Sequence, residues 1–192
     1  ALLDEASNNE RLLKKTQERE IELLKSENLP QLFDVICVRQ RDAQGLDAVS
    51  LVLWDPQHEI RHLLIGDQVR LDEFPNVIFT DSVVGMAPQF ATFQKPWLGP
   101  YMGADHHLLF PVPHDLQSVS LVPLWRQGQL HGSLNFGSND PKRFTRHLAS
   151  DFLAHLGATA SFAIENAVNR ARLVRSGLTD FLTGWHNRRY LH

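Results

Sequence analysis

Residues 117–137 read QSVSLVPLWRQGQLHGSLNFG and carry the clearest indication of the fold. Two runs rich in strand-forming residues, 117–125 and 130–137, are separated by the short polar segment 126–129, which contains Gly128. A glycine-containing turn between two such runs is typical of a β-hairpin. We therefore predict an antiparallel hairpin over residues 117–137.

A second hairpin is predicted upstream. Residues 48–54 (AVSLVLW) and 60–65 (IRHLLI) are rich in strand formers, and DPQH between them is typical of a turn. Residues 67–114 then form a long connection rich in proline, glycine and aromatic residues. Connections of this length usually pack or bind something, so we predict short helices and turns over one face of the sheet.

Both ends of the sequence predict helices. Residues 1–28 contain neither glycine nor proline and place leucines among charged residues, which indicates an amphipathic helix. Asn28 and Pro30 are suited to the start of a second helix that extends to about Arg41.

The C-terminal helix is predicted from about residue 145 to residue 176, with Gly177 as its end. Its apolar positions follow the three-then-four spacing of a packed helix face. This apolar stripe consists of Leu153, Leu156, Ala160, Ala163, Ala167 and Val174. Because a thin stripe needs a surface to pack against, we expect a parallel homodimer through residues 1–28 and 145–176.

The order helix, hairpin, long connection, hairpin, long helix predicts an α+β fold, with an antiparallel sheet and helices on one face. The formal net charge of −3 excludes the basic composition of a dedicated nucleic-acid binder. Cys37 is the single cysteine, so neither an internal disulfide nor a thiolate zinc site is expected. Without a leader or a long apolar run, we expect a cytoplasmic location and no membrane contact.

Several short motifs resemble the second half of a GAF domain. They are the VPL strand at 122–124, the G-x-L strand at 132–134, the segment GSNDPKRF at 137–144 and the helix AIENA at 163–167. The segment 137–144 also looks like the GS-x-DP-x-RF signature of a poorly characterised GAF-like subset. The resemblance implies a GAF-like α+β domain between long signalling helices, whereas residues 29–110 match only in pattern.

Residues 180–189, DFLTGWHNRR, resemble the D-x-LTG-x-x-NRR opening of GGDEF domains, the catalytic modules of diguanylate cyclases. The resemblance implies that a bacterial parent protein makes cyclic di-GMP from GTP with Mg²⁺, and that this chain is its input and dimerisation module. No cofactor and no catalytic residue are expected within the chain itself. The residues expected to transmit the signal are Asp180, Leu182, Thr183, Gly184, Asn187, Arg188 and Arg189.

These resemblances divide the chain into four parts. They are an amphipathic dimerisation helix (1–28), a GAF-like domain (29–144), a signalling helix (145–178) and the start of a GGDEF domain (179–192). Two alternative functions stay open. The first is a domain that binds a small molecule, or acts as an enzyme, in its own right. The second is a purely structural dimerisation module.

Aromatic residues of the long connection and the strand ends are the candidate ligand pocket, because such pockets are largely apolar. They are Trp54, Phe79, Phe93, Trp97, Tyr101, Phe110 and Trp125. Equally, these rings could fill that space themselves. His106, His107 and His114 lack a recognised metal-ligand spacing, so no metal is expected. Cys37, between apolar helical neighbours, is predicted to be a buried, inert thiol rather than a redox or bilin-attachment site.

Overall fold

The structure is a computed structural model that describes residues 2–92, 94–145 and 150–191. Its helices are α1 (Leu2–Leu24), α2 (Leu29–Asp34), a π-helical segment (Val35–Arg39), α3 (Gln40–Gln44), α4 (Glu59–Gly66), α5 (Gln89–Thr92), α6 (Gly103–His106) and α7 (Ser150–Leu191). Its strands are β1 (Ala48–Trp54), β2 (Val77–Thr80), β3 (Trp97–Pro100), β4 (Ser118–Arg126) and β5 (Gln129–Ser138). Short 3₁₀ turns lie at Leu71–Glu73, Val84–Met86 and His107–Leu109.

The strands form one sheet in the order β2-β1-β5-β4-β3. The predicted hairpin at 117–137 is confirmed as β4 and β5, which pair in antiparallel fashion from Ser118↔Ser138 to Arg126↔Gln129. Gln127 and Gly128, at φ of 52° and 76°, form its two-residue turn. Positive φ at both turn positions matches the right-handed twist of the flanking strands.

The predicted upstream hairpin is wrong. Residues 60–65 belong to helix α4, and β1 pairs instead with β2, in parallel, so the sheet is mixed rather than wholly antiparallel. Ile60, Leu63 and Leu64 of α4 lie at helical spacing. In so short a run, that spacing is hard to distinguish from a strand rich in the same apolar residues. The α+β class and the short helices over one sheet face are confirmed, while β2 and β3 were not predicted.

Helix α7 and the segment from α2 to α3 cover one face of the sheet, and α1 packs against α7. Val49, Leu51 and Leu53 of β1 point into this layer, together with Leu134 and Phe136 of β5. Helix α2 begins as predicted at Asn28, whose side chain accepts a hydrogen bond from the Gln31 backbone N–H at 2.9 Å. This layer holds the larger of the two apolar clusters that the described residues form.

The apolar stripe of α7 lies mostly in this same core, and that corrects its assignment to a dimer interface. Leu156 is 2% exposed and Ala160, Ala163 and Ala167 are buried beside it, against the sheet and the other helices of the same chain. Val174, by contrast, is 71% exposed. Spacing alone identifies a packed helix face without saying which molecule packs on it.

Helix α7 also continues past Gly177, where the sequence predicted an end. Glycine costs a helix interior only about 1 kcal/mol relative to alanine, which good helix formers on both sides can offset. The predicted turn at Asp180 is therefore replaced by helical backbone. The predicted helix start at residue 145 borders residues 146–149, which are outside the described part of the chain.

Candidate functional site

A cavity of about 410 Å³ lies between the C-terminal end of β1, the β4–β5 turn and α7. Its apolar lining comes from Leu53, Ile60, Leu124, Ile164 and Val168. Its polar lining comes from Asp55, Gln57, Glu59, Arg126, Gln127, His131, Ser161, Glu165, Asn169 and Arg172. Trp54 and Pro56 complete the lining. An apolar interior with a few convergent polar groups is typical of a small-molecule site.

Asp55 builds the wall where β1 turns into α4. Its side chain is 3% exposed and accepts hydrogen bonds from the backbone N–H groups of Ile60 (3.0 Å) and Arg61 (3.2 Å). The Arg61 Nε also donates to it, at 3.0 Å. Burial raises the pKa of the Asp55 carboxyl, but these hydrogen bonds outweigh burial and hold the pKa below its ordinary value.

Because the pKa of Asp55 is depressed on folding, its contribution to stability is present above its unfolded pKa and is lost as the pH falls through its folded pKa. We expect Asp55→Asn to lower the free energy of unfolding at pH 7 by about 1–3 kcal/mol. Its stability should then fall less steeply than that of the parent below about pH 4. Urea denaturation across this pH range measures both effects.

Asp72→Asn is the matched control, since Asp72 pairs with Arg70 in a side-chain pair that is mostly exposed to solvent. Exposed pairs contribute little to stability. Equal losses in the two variants would contradict the role assigned to Asp55.

Two ion pairs cross the rim of the cavity and tie α7 to its other walls. Arg172 of α7 donates to both carboxylate oxygens of Glu59 on α4, with Nε–Oε1 at 2.5 Å and Nη2–Oε2 at 2.9 Å. Arg126 of β4 pairs with Glu165 of α7 through Nη2 and Oε2, at 2.5 Å. The hydrogen bonds from Arg172 lower the pKa of Glu59. The cavity therefore lies where two ion pairs join α7 to α4 and to the β4–β5 hairpin.

The polar wall on α7 is a single helix line. Ser161, Glu165, Asn169 and Arg172 follow one another at spacings of four, four and three residues, beside the apolar stripe. Arg172 also donates to Asn169 Oδ1, at 2.8 Å. Residues at this spacing share one face of a helix.

The sequence did not predict Arg126, Ser161, Glu165 or Arg172 as site residues. One signal was visible in the sequence. Residues 161, 165, 169 and 172 are polar and lie beside the apolar stripe of α7, where a fully buried helix would carry apolar residues. Arg126 gave no such signal, because an arginine next to a hairpin turn is ordinary surface composition.

The structure separates the seven predicted pocket aromatics. Trp54 borders the cavity but also packs against the second apolar cluster, and its ring lies 5.7 Å from that of His131. Trp97, Tyr101 and Phe110 lie on the opposite sheet face, in the second apolar cluster. Phe79 packs against the first cluster, and the described lining of the cavity includes neither Phe79 nor Trp125. Phe93 lies outside the described residues.

On the opposite sheet face, His106 is fully buried between these rings. Its Nδ1 accepts from the Met102 backbone N–H at 3.0 Å, and its Nε2 lies 3.2 Å from Gln89 Oε1. Burial lowers the pKa of His106, against a smaller opposing effect of Asp105. His106 therefore serves as a hydrogen-bonded core residue. Within the described residues, no three His, Cys, Asp or Glu side chains are grouped so that they could hold a metal ion.

Cys37 is buried, as the sequence predicted. Burial raises the pKa of its thiol to about 12. Since the thiolate is the reactive form, this thiol is inert at neutral pH.

The side chains predicted to transmit the signal, from Asp180 to Arg189, lie outside the described part of the structure. Their backbone is the last part of α7.

A mixed five-stranded sheet with long helices on one face and short helices on the other defines this chain as a GAF-like α+β domain. The family described as "Protein of unknown function, DUF484" matches residues 1–166. The chain therefore belongs to that family. The match ends before the segment 180–189.

Among the solved structures with the same fold are two GAF domains. The GAF domain of a phosphoenolpyruvate-protein phosphotransferase from Coxiella burnetii is 21% identical, with a TM-score of 0.58 over 84% of this chain and 97% of that one. The GAF domain of the Acinetobacter phosphoenolpyruvate-protein phosphotransferase is 16% identical, with a TM-score of 0.54 over 86% of this chain and 98% of that one. Among curated protein sequences, none matches significantly. None of the described helices is long and apolar enough to cross a membrane.

Proposed function

We propose that this chain is the sensory input and dimerisation module of a bacterial diguanylate cyclase. The observation that carries the proposal is the continuity of α7. Its first half holds buried core residues such as Leu156 and Ala163, and its last turns carry the segment 180–189 that resembles the opening of a GGDEF domain. A change in the packing of the domain on α7 would thus reach a catalytic module through one helix.

The cavity supports a sensory role, because four of its polar lining residues belong to α7. A ligand there would touch α4, the β4–β5 turn and α7 at once. A ligand can shift an equilibrium between two packings of α7 only by the difference in its affinity for them. The rim pairs Glu59–Arg172 and Arg126–Glu165 are contacts in which two such packings would differ.

The experiment that tests the proposal uses the natural protein extended beyond residue 192. We expect its next 150 or so residues, a typical domain length, to complete a GGDEF domain. The purified extended protein should convert GTP to cyclic di-GMP, detected by mass spectrometry. A continuation without the signature loop and metal carboxylates of that domain would refute the proposal.

Dimerisation has its own test, since residues on α1 remain exposed. Leu2, Leu13 and Leu24 are 83%, 46% and 50% exposed and lie on one line of the helix, eleven residues or about three turns apart. We expect a dimer in sedimentation equilibrium at micromolar concentration, and at least a tenfold weaker dimer for Leu13→Asp, because an interface would bury an unpaired charge. Ile65→Asp, at an exposed site on α4, is the control. A monomeric parent, or equal effects of the two substitutions, would contradict dimerisation through α1.

A further inference from the structure

Three side-chain atoms of residues that line the cavity are buried without a hydrogen-bond partner among the described residues, and one of them, Glu165 Oε2, is held in the ion pair with Arg126 Nη2. Two groups are left. They are the Ser161 hydroxyl and the Arg126 Nε–H, and both residues line the cavity. Ser161 is 5% exposed. Buried polar groups in folded proteins are nearly always paired, so an exception calls for an explanation. Both groups can donate a hydrogen bond, and the guanidinium nitrogen can only donate. The partner that would satisfy both of them is therefore an acceptor.

The rest of the cavity restricts the shape of that acceptor. Leu53, Leu124, Ile164 and Val168 line its apolar side, on the face of the sheet covered by α7. Apolar walls favour a ligand whose body can be removed from water. The volume of about 410 Å³ admits a small organic molecule and no macromolecule.

The charges at the cavity distinguish an anionic ligand from a cationic one. The Asp55 carboxylate is already engaged by Arg61 and two backbone N–H groups, and Glu59 is held by Arg172. Arg126 is bound to Glu165 through Nη2, which leaves its Nε–H as the donor without a partner. A guanidinium can hold a carboxylate through two parallel hydrogen bonds, whereas the carboxylate acceptor that an ammonium ligand would find beside Arg126 among the lining residues described above is Glu165, which Arg126 already holds. The site therefore favours an anionic head group over a cationic one.

We propose that this cavity binds a small monocarboxylate with an apolar body, whose carboxylate accepts hydrogen bonds from Arg126 and Ser161. The proposal rests on the sensory function above and names the class of ligand that would be sensed. The ligand carboxylate competes with Glu165 for Arg126. Binding would thus loosen one of the two ion pairs that hold α7 against the walls of the cavity.

The test uses three probes with one carbon skeleton: 4-phenylbutyrate, 4-phenylbutan-1-ol and 4-phenylbutylamine. Isothermal titration calorimetry of the 192-residue chain should show one site per chain for the carboxylate. We expect it to bind at least about tenfold more tightly than the alcohol, and the amine to bind most weakly, from the strength of charge-assisted hydrogen bonds. An amine that binds as tightly as the carboxylate, or no binding of the carboxylate at millimolar concentration, would overturn the proposal.

Three variants locate the site. Arg126→Met and Ser161→Ala should each weaken binding of the carboxylate by about fivefold or more, while Arg126→Met leaves the affinity for the alcohol unchanged. Arg70→Met removes a mostly exposed arginine that is not among the described lining residues of the cavity, and it should change neither affinity. Unfolding curves show that each variant is folded before titration. Unchanged carboxylate affinity in a folded Arg126→Met would place the ligand elsewhere and overturn the proposal.

These measurements involve no catalytic output, so they separate two failures. If the extended protein makes cyclic di-GMP but the carboxylate does not bind, the ligand class is wrong and the input role stands. If the carboxylate binds as expected but the continuation lacks a GGDEF domain, the ligand class stands and the cyclase role is wrong.

Discussion

Replacing Leu156 with aspartate is expected to unfold the domain, with a loss of about 4 kcal/mol or more in the free energy of unfolding. Leu156 is 2% exposed in the core between α7 and the sheet, and its neighbours Ala160 and Ala163 are buried with it. A carboxylate there would have to enter an apolar layer without a partner. Urea denaturation followed by circular dichroism measures the loss.

Leu156→Ala extends this test to a variant that is easier to produce. Removing the buried side chain without adding a charge should cost about 2–5 kcal/mol. Val174→Asp is the matched control on the same helix, at a site that is 71% exposed, and should change stability by no more than about 0.5 kcal/mol.

The Leu156 variants also separate two interpretations of the apolar stripe. If it packed mainly against a second chain, Leu156→Asp would leave the unfolding of the monomer unchanged and abolish only association. That outcome would contradict the packing of α7 on its own sheet.

The second large effect concerns insertions into α7 of the extended protein. Each residue inserted between Val174 and Leu178 rotates everything beyond it by about 100° around the helix axis. Seven inserted residues nearly restore the original phase, whereas one or two do not. If α7 sets the angle between two catalytic modules, insertions of one or two residues should change cyclic di-GMP synthesis by about tenfold or more, and seven should change it far less.

The readout is product formed from GTP by each variant, including one with four inserted residues, which is about 40° out of phase. A single residue inserted after Gln68, in the turn that follows α4, lengthens the chain without rotating the end of α7 and is the control. Equal synthesis across one, two, four and seven residues would show that helix phase does not carry the signal.

Much of the fold was determined by local sequence signals. Gly128 in a polar turn between two strand-forming runs is enough to specify the β4–β5 hairpin, because few residues other than glycine adopt its backbone angles at low cost. Asn28 marks the start of α2 in the same way, since its side chain supplies a partner for an otherwise unpaired backbone N–H. The burial of Cys37 followed from its apolar helical neighbours.

Other features needed the tertiary structure. Residues 60–65 are compatible with a strand by composition, and the Asp55 carboxylate that accepts the first N–H groups of α4 shows why they form a helix. The parallel pairing of β1 with the unpredicted strand β2 depends on that crossover helix. Likewise, the stripe on α7 was visible in the sequence, but its partner proved to be the sheet of the same chain.

The cavity shows the same division. Trp54 was among the predicted pocket residues, and Ser161, Glu165 and Arg172 lie at a helical spacing that the sequence displays. Periodicity places residues on one face of a helix, because that depends only on helix geometry. Long-range packing determines which face of the sheet α7 covers. It also brings Arg126 of the hairpin, 35 residues before Ser161 in the chain, to the same cavity as Ser161. Those contacts join residues far apart in the chain, so no local sequence signal specifies them.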